Sequence, residues 1–259
     1  MNPFFLASGT LWQREIVRFF RQRSRVVGAL GPPILFWFLI GSGLGKSFHV
    51  AGVDTGGISY LQYFFPGTVS LIVLFTAIFS TISVIEDRHE GFLQSVLVAP
   101  LSRVGLVLGK ILGGASLAII QAVIFLLLAP AAGIRVSLAS FPYVFLVLAA
   151  MSFSLTGLGF LLAWRLDSTQ GFHAIMNLFL IPMWLLSGAL FPAGGAAGWI
   201  RWIMALNPLT YGVSALQQSL QVNGRALSAG MASPQTCVLV SLAFVAVMFA
   251  ACLWSVRKN

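Results

Sequence analysis

Charged residues are scarce in this chain of 259 residues, since Asp, Glu, Lys and Arg together make up only 8% of it. A soluble domain carries about 25% charged residues, and 58% of this chain is hydrophobic. So few charges could not cover the surface of a soluble fold. The composition therefore excludes an ordinary soluble protein and predicts a single membrane domain over residues 1–259.

Acidic residues are the scarcest charged group, with six Asp and Glu against 15 Lys and Arg. A basic chain suggests nucleic acid as a partner, but these basic residues lie between apolar stretches, as they do in membrane proteins. We therefore expect no nucleic-acid partner. The acids lie at predicted helix ends or in loops, whereas carriers driven by protons or sodium usually keep an ionisable residue near the bilayer midplane. This distribution argues against such a carrier, although backbone carbonyls can also bind sodium.

Motifs that carry chemistry are also missing. Cys237 and Cys252 lie in the last apolar stretch, about 22 Å apart along one helix at roughly 1.5 Å per residue, too far for a disulfide. The three histidines share no metal-ligand spacing. The segment 41–47 resembles a phosphate-binding loop, but Ile40 stands where that motif needs glycine. We therefore expect no catalytic residue, no metal site and no cofactor bound by this chain.

Long apolar runs predict six membrane-spanning helices. Six apolar runs contain no Asp, Glu, Lys or Arg, over residues 26–45, 55–85, 111–134, 136–164, 168–200 and 226–256. Each has the roughly 20 residues that a helix needs to cross the hydrocarbon core. The predicted spans are 26–45, 63–85, 110–130, 141–164, 174–191 and 236–254. The predicted fold class is an all-α membrane protein.

Lysine and arginine divide unevenly between the two sides of the predicted membrane, with eleven on one side and four on the other. The eleven are Arg14, Arg18, Arg21, Arg23, Arg25, Arg88, Arg103, Lys110, Arg165, Arg257 and Lys258, and the four are Lys46, Arg135, Arg201 and Arg225. The positive-inside rule places the richer side in the cytoplasm. We therefore expect a multi-pass protein of the cytoplasmic (inner) membrane with both termini cytoplasmic, and with 46–60, 131–140 and 192–235 outside.

The first 25 residues predict an amphipathic helix that lies in the cytoplasmic interface. Trp12, Ile16 and Phe19 share one helical face. The nearly opposite face carries Arg14, Arg18, Arg21 and Arg25. We expect the apolar face to lie in lipid and the arginines to face water or anionic headgroups. A simple positive-inside anchor and a transit peptide are the alternatives.

Two connections are too long to be simple turns. The cytoplasmic connection 86–103 carries an apolar stripe at i, i+1, i+4 and i+5, from Phe92 to Leu97, which is one helical face. This stripe needs a surface to cover it, either on a partner protein or on the chain's own bundle. The outer connection 192–235 carries Trp199 and Trp202 in segments too short to span, which favours short helices in the outer interface.

The two connections resemble those of type-2 ABC exporter permeases. The cytoplasmic one reads Glu86-Asp-Arg-His-Glu-Gly91-Phe-Leu, then Leu97-Val-Ala-Pro100-Leu-Ser-Arg103. The outer region reads Ser187-Gly-Ala-Leu-Phe-Pro192, followed by the outer-loop motif Asn207-Pro208-Leu209-Thr210-Tyr211. The likeness covers essentially the whole chain. An arginine-rich start followed by proline in the first span is similar to the daunorubicin-export and nodulation-factor-export branch.

The resemblance implies a non-catalytic membrane subunit that exports a hydrophobic or amphiphilic substrate such as a drug, lipid or glycoconjugate. It implies a homodimer in membrane lipid, bound to two copies of a separate ABC ATPase that carries ATP and Mg. The connection 86–103 would hold a coupling helix that transmits nucleotide-driven motion. The coupling residues it implies are Glu86, Asp87, Arg88, Glu90, Gly91, Phe92, Leu93, Leu97 and Pro100.

In this family the transport path runs between protomers and is lined mainly by the second and fifth spans. The candidate path residues are Phe64, Phe65, Phe75, Phe79, Phe179, Met183 and Trp184, for which lipid-facing or core packing is the alternative. Two other functions stay open. One is a stand-alone secondary carrier or channel, and the other is a membrane-embedded enzyme that acts on lipid.

Overall fold

The computed structural model describes residues 3–44, 58–98, 102–222, 225–226 and 232–258, and these form ten α-helices and one small sheet. The helices are α1 Pro3–Arg21, α2 Arg23–Gly43, α3 Tyr60–His89, α4 Phe92–Val98, α5 Arg103–Leu126, α6 Phe141–Arg165, α7 Thr169–Trp184, α8 Gly198–Leu206, α9 Pro208–Ser219 and α10 Pro234–Lys258. The strands β1 Arg135–Val136, β2 Leu220–Val222 and β3 Arg225–Ala226 pair antiparallel in that order. The expected α-helical membrane fold is confirmed.

Within the described residues, six helices are long and apolar enough to cross a membrane. They are α2, α3, α5, α6, α7 with its continuation to Ala189, and α10. The second of these begins at Tyr60 because Ser59 caps it: the Ser59 hydroxyl accepts from the Gln62 amide, and the Gln62 side chain accepts from the Ser59 amide.

Helix α3 is the central helix and is buried over most of its length. Small residues let its neighbours approach closely. A Cβ on Gly114 of α5 would lie 2.5 Å from the Ser80 hydroxyl, and one on Gly159 of α6 would lie 2.6 Å from the Thr81 hydroxyl. The hydroxyls of Ser80 and Thr81 both donate to the Ala77 carbonyl of the same helix, so these two buried polar groups are satisfied.

The two ends of the bundle are chemically different. At one end, which we name the basic end, α1 and α4 lie beside the end of α3, and Arg103 at the start of α5 donates to the Val256 carbonyl near the end of α10 at 2.6 Å. At the other, which we name the sheet end, the small sheet lies near α9, and Gln62 donates to the Ala132 carbonyl at 2.9 Å. The first and last described helices therefore reach the same end, as expected from the basic-residue count.

Helix α1 is amphipathic, but it packs on the bundle in a way that differs from the prediction. Phe19, expected to face lipid, is only 2% exposed, and Leu11 is 5% exposed, whereas Trp12 of the same predicted face is 40% exposed. Cβ atoms on Gly109 and Gly113 of α5 would lie 2.8 and 2.6 Å from atoms of α1. This glycine pair therefore brings α1 close to α5 within one chain.

Candidate functional site

Helix α4 is placed by a sharp turn at the end of α3. Glu90 is the C-cap of α3, and Gly91 follows with φ of +74°. This left-handed conformation strains residues that carry a Cβ, whereas the space around Gly91 is open. The turn therefore requires glycine for its backbone angle, and it folds α4 back against the end of the bundle.

Three residues of the apolar stripe of α4, Phe92, Leu93 and Val96, pack on this chain's own bundle, which is the second of the two surfaces considered from the sequence. Leu93 is 4% exposed and belongs to the main core, against which Phe92 and Val96 are also packed. The guanidinium carbon of Arg14 lies 3.8 Å from the centre of the Phe92 ring, a cation–π contact. Helical periodicity identified the stripe but not the surface that covers it.

The opposite face of α4 is open to solvent. Its exposed residues are Gln94, Ser95 and Val98, and Val98 is 88% exposed. The side chain of Leu97 and all of Pro100 lie outside the described residues, so their predicted roles stay predictions. A contact between α4 and another protein would therefore use this exposed face.

Asp87, one of the predicted coupling residues, is the centre of a charge network at the basic end. It is completely buried, and Arg14 of α1 binds both of its oxygens at 2.7 and 2.9 Å. Arg18 of α1 and Lys110 of α5 also donate to it. The hydrogen bonds to Asp87 raise the pKa of Arg14 above its ordinary value, so Arg14 stays charged. Two arginines expected to face water or headgroups instead hold α1 to α3.

Lys110 connects three helices. Its ammonium donates to Glu15 of α1 at 2.6 Å and to Asp87 of α3, and it lies 3.3 Å from the Ser83 hydroxyl. Ser83 donates to the second Glu15 oxygen at 2.6 Å. Lys110 and Glu15 are 5% and 4% exposed. A buried cation with two buried carboxylates therefore ties α1, α3 and α5 together.

The other charged coupling residues also have partners on different helices. Glu86 pairs with Arg18 at 2.9 Å and with Arg25 of α2, and Glu90 pairs with Arg18 at 2.9 Å. Arg88 pairs with Asp167, before α7, at 2.9 Å. The end of α3 is therefore held by α1, α2 and the α6–α7 connection. Among the described residues, no group of His, Cys, Asp and Glu is placed to hold a metal ion.

Sequence reasoning missed Glu15, Lys110, Arg14 and Arg18 as members of this site. A signal was present, because Glu15 is the only acidic residue before Asp54. An isolated acid in an arginine-rich, apolar helix needs a buried cation when that helix packs. The partner could not be named, since Lys110 is 95 residues away.

The outer-loop motif supports a break in α7. Beyond Pro182 the helix widens into a π-helical turn, Leu185–Ala189, in which Gly188 has φ of +82°. The Asn207 amide donates to the Met183 carbonyl at 2.6 Å and to the Leu186 carbonyl at 3.1 Å. These bonds satisfy carbonyls that irregular backbone leaves free in a membrane.

The rest of this motif builds helix α9. The Asn207 side chain also accepts from the Leu209 amide as the N-cap, and Pro208 is the first residue of α9. Tyr211 donates to the Ala205 carbonyl at 2.8 Å, which joins α9 to α8. The motif therefore has an evident structural role in this chain.

The predicted path residues do not share one surface. Phe64 and Phe65 are completely buried, Phe65 stacks on Phe125 with ring centres 4.8 Å apart, and the Trp184 indole donates to the Gly67 carbonyl at 2.8 Å. Phe179 is 63% exposed. The remaining three, Phe75, Phe79 and Met183, are half-buried. Their assignment to a path stays a prediction, and only part of the set reaches the surface of one protomer.

Comparison with known proteins gives consistent matches over most of the chain. The family model described as ABC-2 type transporter matches residues 7–220, from α1 to β2. Nodulation protein J of Sinorhizobium fredii is 27% identical over 216 residues, 81% of this chain and 79% of its own. The inner membrane transport permease YadH of Escherichia coli is 26% identical over 230 residues, 84% of each chain. The transport permease ycf38 of Cyanophora paradoxa is 27% identical over 80% of this chain and 71% of its own.

Proposed function

This chain belongs to the ABC-2 type transporter family of membrane permeases, and we propose that it is the membrane subunit of an exporter driven by an ATPase on a separate chain. As a multi-pass transport permease it is a non-catalytic subunit of an ABC transporter. The finer proposal is export of a hydrophobic or amphiphilic substrate from the cytoplasm. The spans are apolar, and buried hydroxyls such as those of Thr76, Thr81 and Ser154 donate to carbonyls of their own helices, which supports this substrate class.

The placement of α4 carries the proposal. Val98, at the C-terminal end of α4, lies on its exposed face, and Gly91 joins the N-terminal end of α4 to α3. Force on α4 would pass from Phe92 to Arg14 and from Arg14 to Asp87. From Asp87 it would reach α5 through Lys110. A rigid charged junction of this kind suits a coupling element that receives motion from a cytoplasmic ATPase.

Assembly tests this function directly. We expect two copies of the chain and two ATPase chains in one complex, because a path between protomers needs both copies. Exposed apolar residues of α2 and α7, such as Phe38 and Leu178 at 62% and 69% exposure, are available for this contact. The measurement is the mass of the complex purified from co-expressing cells, with ATP-dependent transport after reconstitution. An active one-to-one complex would contradict the dimer, and transport by the chain alone would favour the stand-alone carrier.

Topology is a separate prediction. We place the basic end in the cytoplasm, because it carries most of the lysine and arginine. In a background without Cys237 and Cys252, Ala197→Cys should react with a membrane-impermeant thiol reagent in intact cells. Gln94→Cys should react only after permeabilisation. Both positions are exposed and lie at opposite ends of the bundle. Labelling of Gln94→Cys alone in intact cells would reverse the proposed orientation.

A further inference from the structure

A groove at the sheet end has no role in the proposed coupling. It has a volume of about 890 Å³, within the range of about 300–1,000 Å³ that ligand sites occupy. Its walls are the end of α5, the segment from Leu127 to Ser137, and the start of α6. Apolar side chains form most of it: Val123, Leu126, Leu127, Ile134, Val136 and Phe141.

The groove opens onto the apolar surface of the molecule. Leu127 on its rim is 73% exposed, and Phe141 and the neighbouring Phe145 are each 47% exposed. Both flanking helices are candidate membrane spans. The groove therefore lies where one span ends and the next begins, at the level of the interface between hydrocarbon and headgroups.

One charged residue, Arg135 of β1, lines this groove, and none of the described carboxylates pairs with it. The five side-chain carboxylates that the structure describes all lie at the basic end. A cation beside an apolar surface is stabilised when an anion covers it. The groove therefore fits a ligand that has an apolar chain, which would lie along its walls, and an anionic group, which would bind Arg135.

We propose that this groove binds an anionic phospholipid of the adjacent leaflet, with an acyl chain along Val123 and Leu127 and the phosphate at Arg135. Arginine binds phosphate oxygens through charge-assisted hydrogen bonds, and the apolar walls beside Arg135 can cover an acyl chain of the same lipid. The proposal does not depend on coupling to an ATPase. It requires only that α5 and α6 cross a bilayer.

Native mass spectrometry of the purified full-length chain, exchanged into limiting phosphatidylglycerol or phosphatidylcholine, tests this site. We expect about fivefold stronger retention of phosphatidylglycerol, the effect of roughly one interfacial arginine. Arg135→Gln should remove the difference, and Arg135→Lys should keep most of it. The matched control is Arg201→Gln, an exposed arginine of α8 that does not line the groove, and it should bind like the parent.

Further variants test the walls and the occupant. Val123→Phe fills the groove and should reduce retention of both lipids. If Arg135→Gln retains as much phosphatidylglycerol as the parent, the proposed site is wrong. It is also wrong if Arg201→Gln loses as much phosphatidylglycerol as Arg135→Gln, because the preference would then come from general surface charge. Undiminished binding by Val123→Phe would also overturn it. Efficient cross-linking of two copies through Leu127→Cys, in a chain without Cys237 and Cys252, would show that a second copy covers the groove instead.

Discussion

Replacing Lys110 with methionine is expected to lower the free energy of unfolding by about 3–5 kcal/mol, the usual cost of removing one partner of a buried ion pair. Methionine keeps an unbranched apolar side chain but leaves Glu15 and Asp87 without the cation they share. Asp87 retains Arg14 and Arg18, so most of the loss should come from Glu15, whose remaining contacts are Ser83 and a distant Arg14 nitrogen at 3.5 Å. Denaturant titration in mixed micelles measures the change.

A double variant separates lost pairing from lost packing. Glu15→Leu combined with Lys110→Met removes both charges and should be more stable than Lys110→Met alone, because an apolar replacement for a buried ion pair is often neutral or stabilising. Arg23→Met is the matched control, since Arg23 is exposed and has no ion-pair partner among the described residues. If Lys110→Met unfolds like Arg23→Met, the network does not stabilise this end of the bundle.

The membrane spans could be predicted from the sequence because an apolar run free of charge has few other stable structures in a bilayer. The turn at Gly91 was also within reach, since a glycine after a charged helix end favours a change of direction. Both features depend on residues that are neighbours in the sequence, so they can be predicted without knowing the tertiary structure.

The charge network could not be predicted in the same way. Arg14 binds Asp87 across 73 positions in the sequence, and no local rule selects that acid rather than water or a headgroup. The surface that covers the apolar stripe of α4 could not be predicted either, because helical periodicity identifies the apolar face but not the residues that pack against it. Asn207 was recognised from a motif, yet its two bonds to α7 depend on a helix break that only the packed structure shows.

A second large effect is expected at the exposed face of α4. Val98→Asp should weaken co-purification of the ATPase about 10- to 100-fold, because an unpaired charge buried in a contact costs about 1–3 kcal/mol or more. Stability of the permease itself should not change, since Val98 is 88% exposed. The measurement is the amount of ATPase retained on the tagged permease, beside the unfolding curve of the permease alone.

Leu93→Ala is the matched variant on the buried face of the same helix. Leu93 is 4% exposed, so its truncation should cost the permease about 2–5 kcal/mol of unfolding free energy. Any decrease in the amount of co-purified ATPase should be proportional to the decrease in the amount of folded permease. The pair therefore distinguishes a docking face from a packing face within one short helix.

Glu90→Ala should give a third pattern, because Glu90 touches Arg18 rather than the open face of α4. Loss of this bond loosens the junction between α3 and α1 while the area available to a partner stays the same. We expect an intact complex that hydrolyses ATP but transports less substrate for each ATP. Reconstituted vesicles allow both rates to be measured on one preparation. Two results together would contradict this role of α4: normal ATPase binding by Val98→Asp and an unchanged ratio of transport to hydrolysis in Glu90→Ala. Helix α4 would then only connect α3 to α5, and another part of the chain would have to transmit motion from the ATPase.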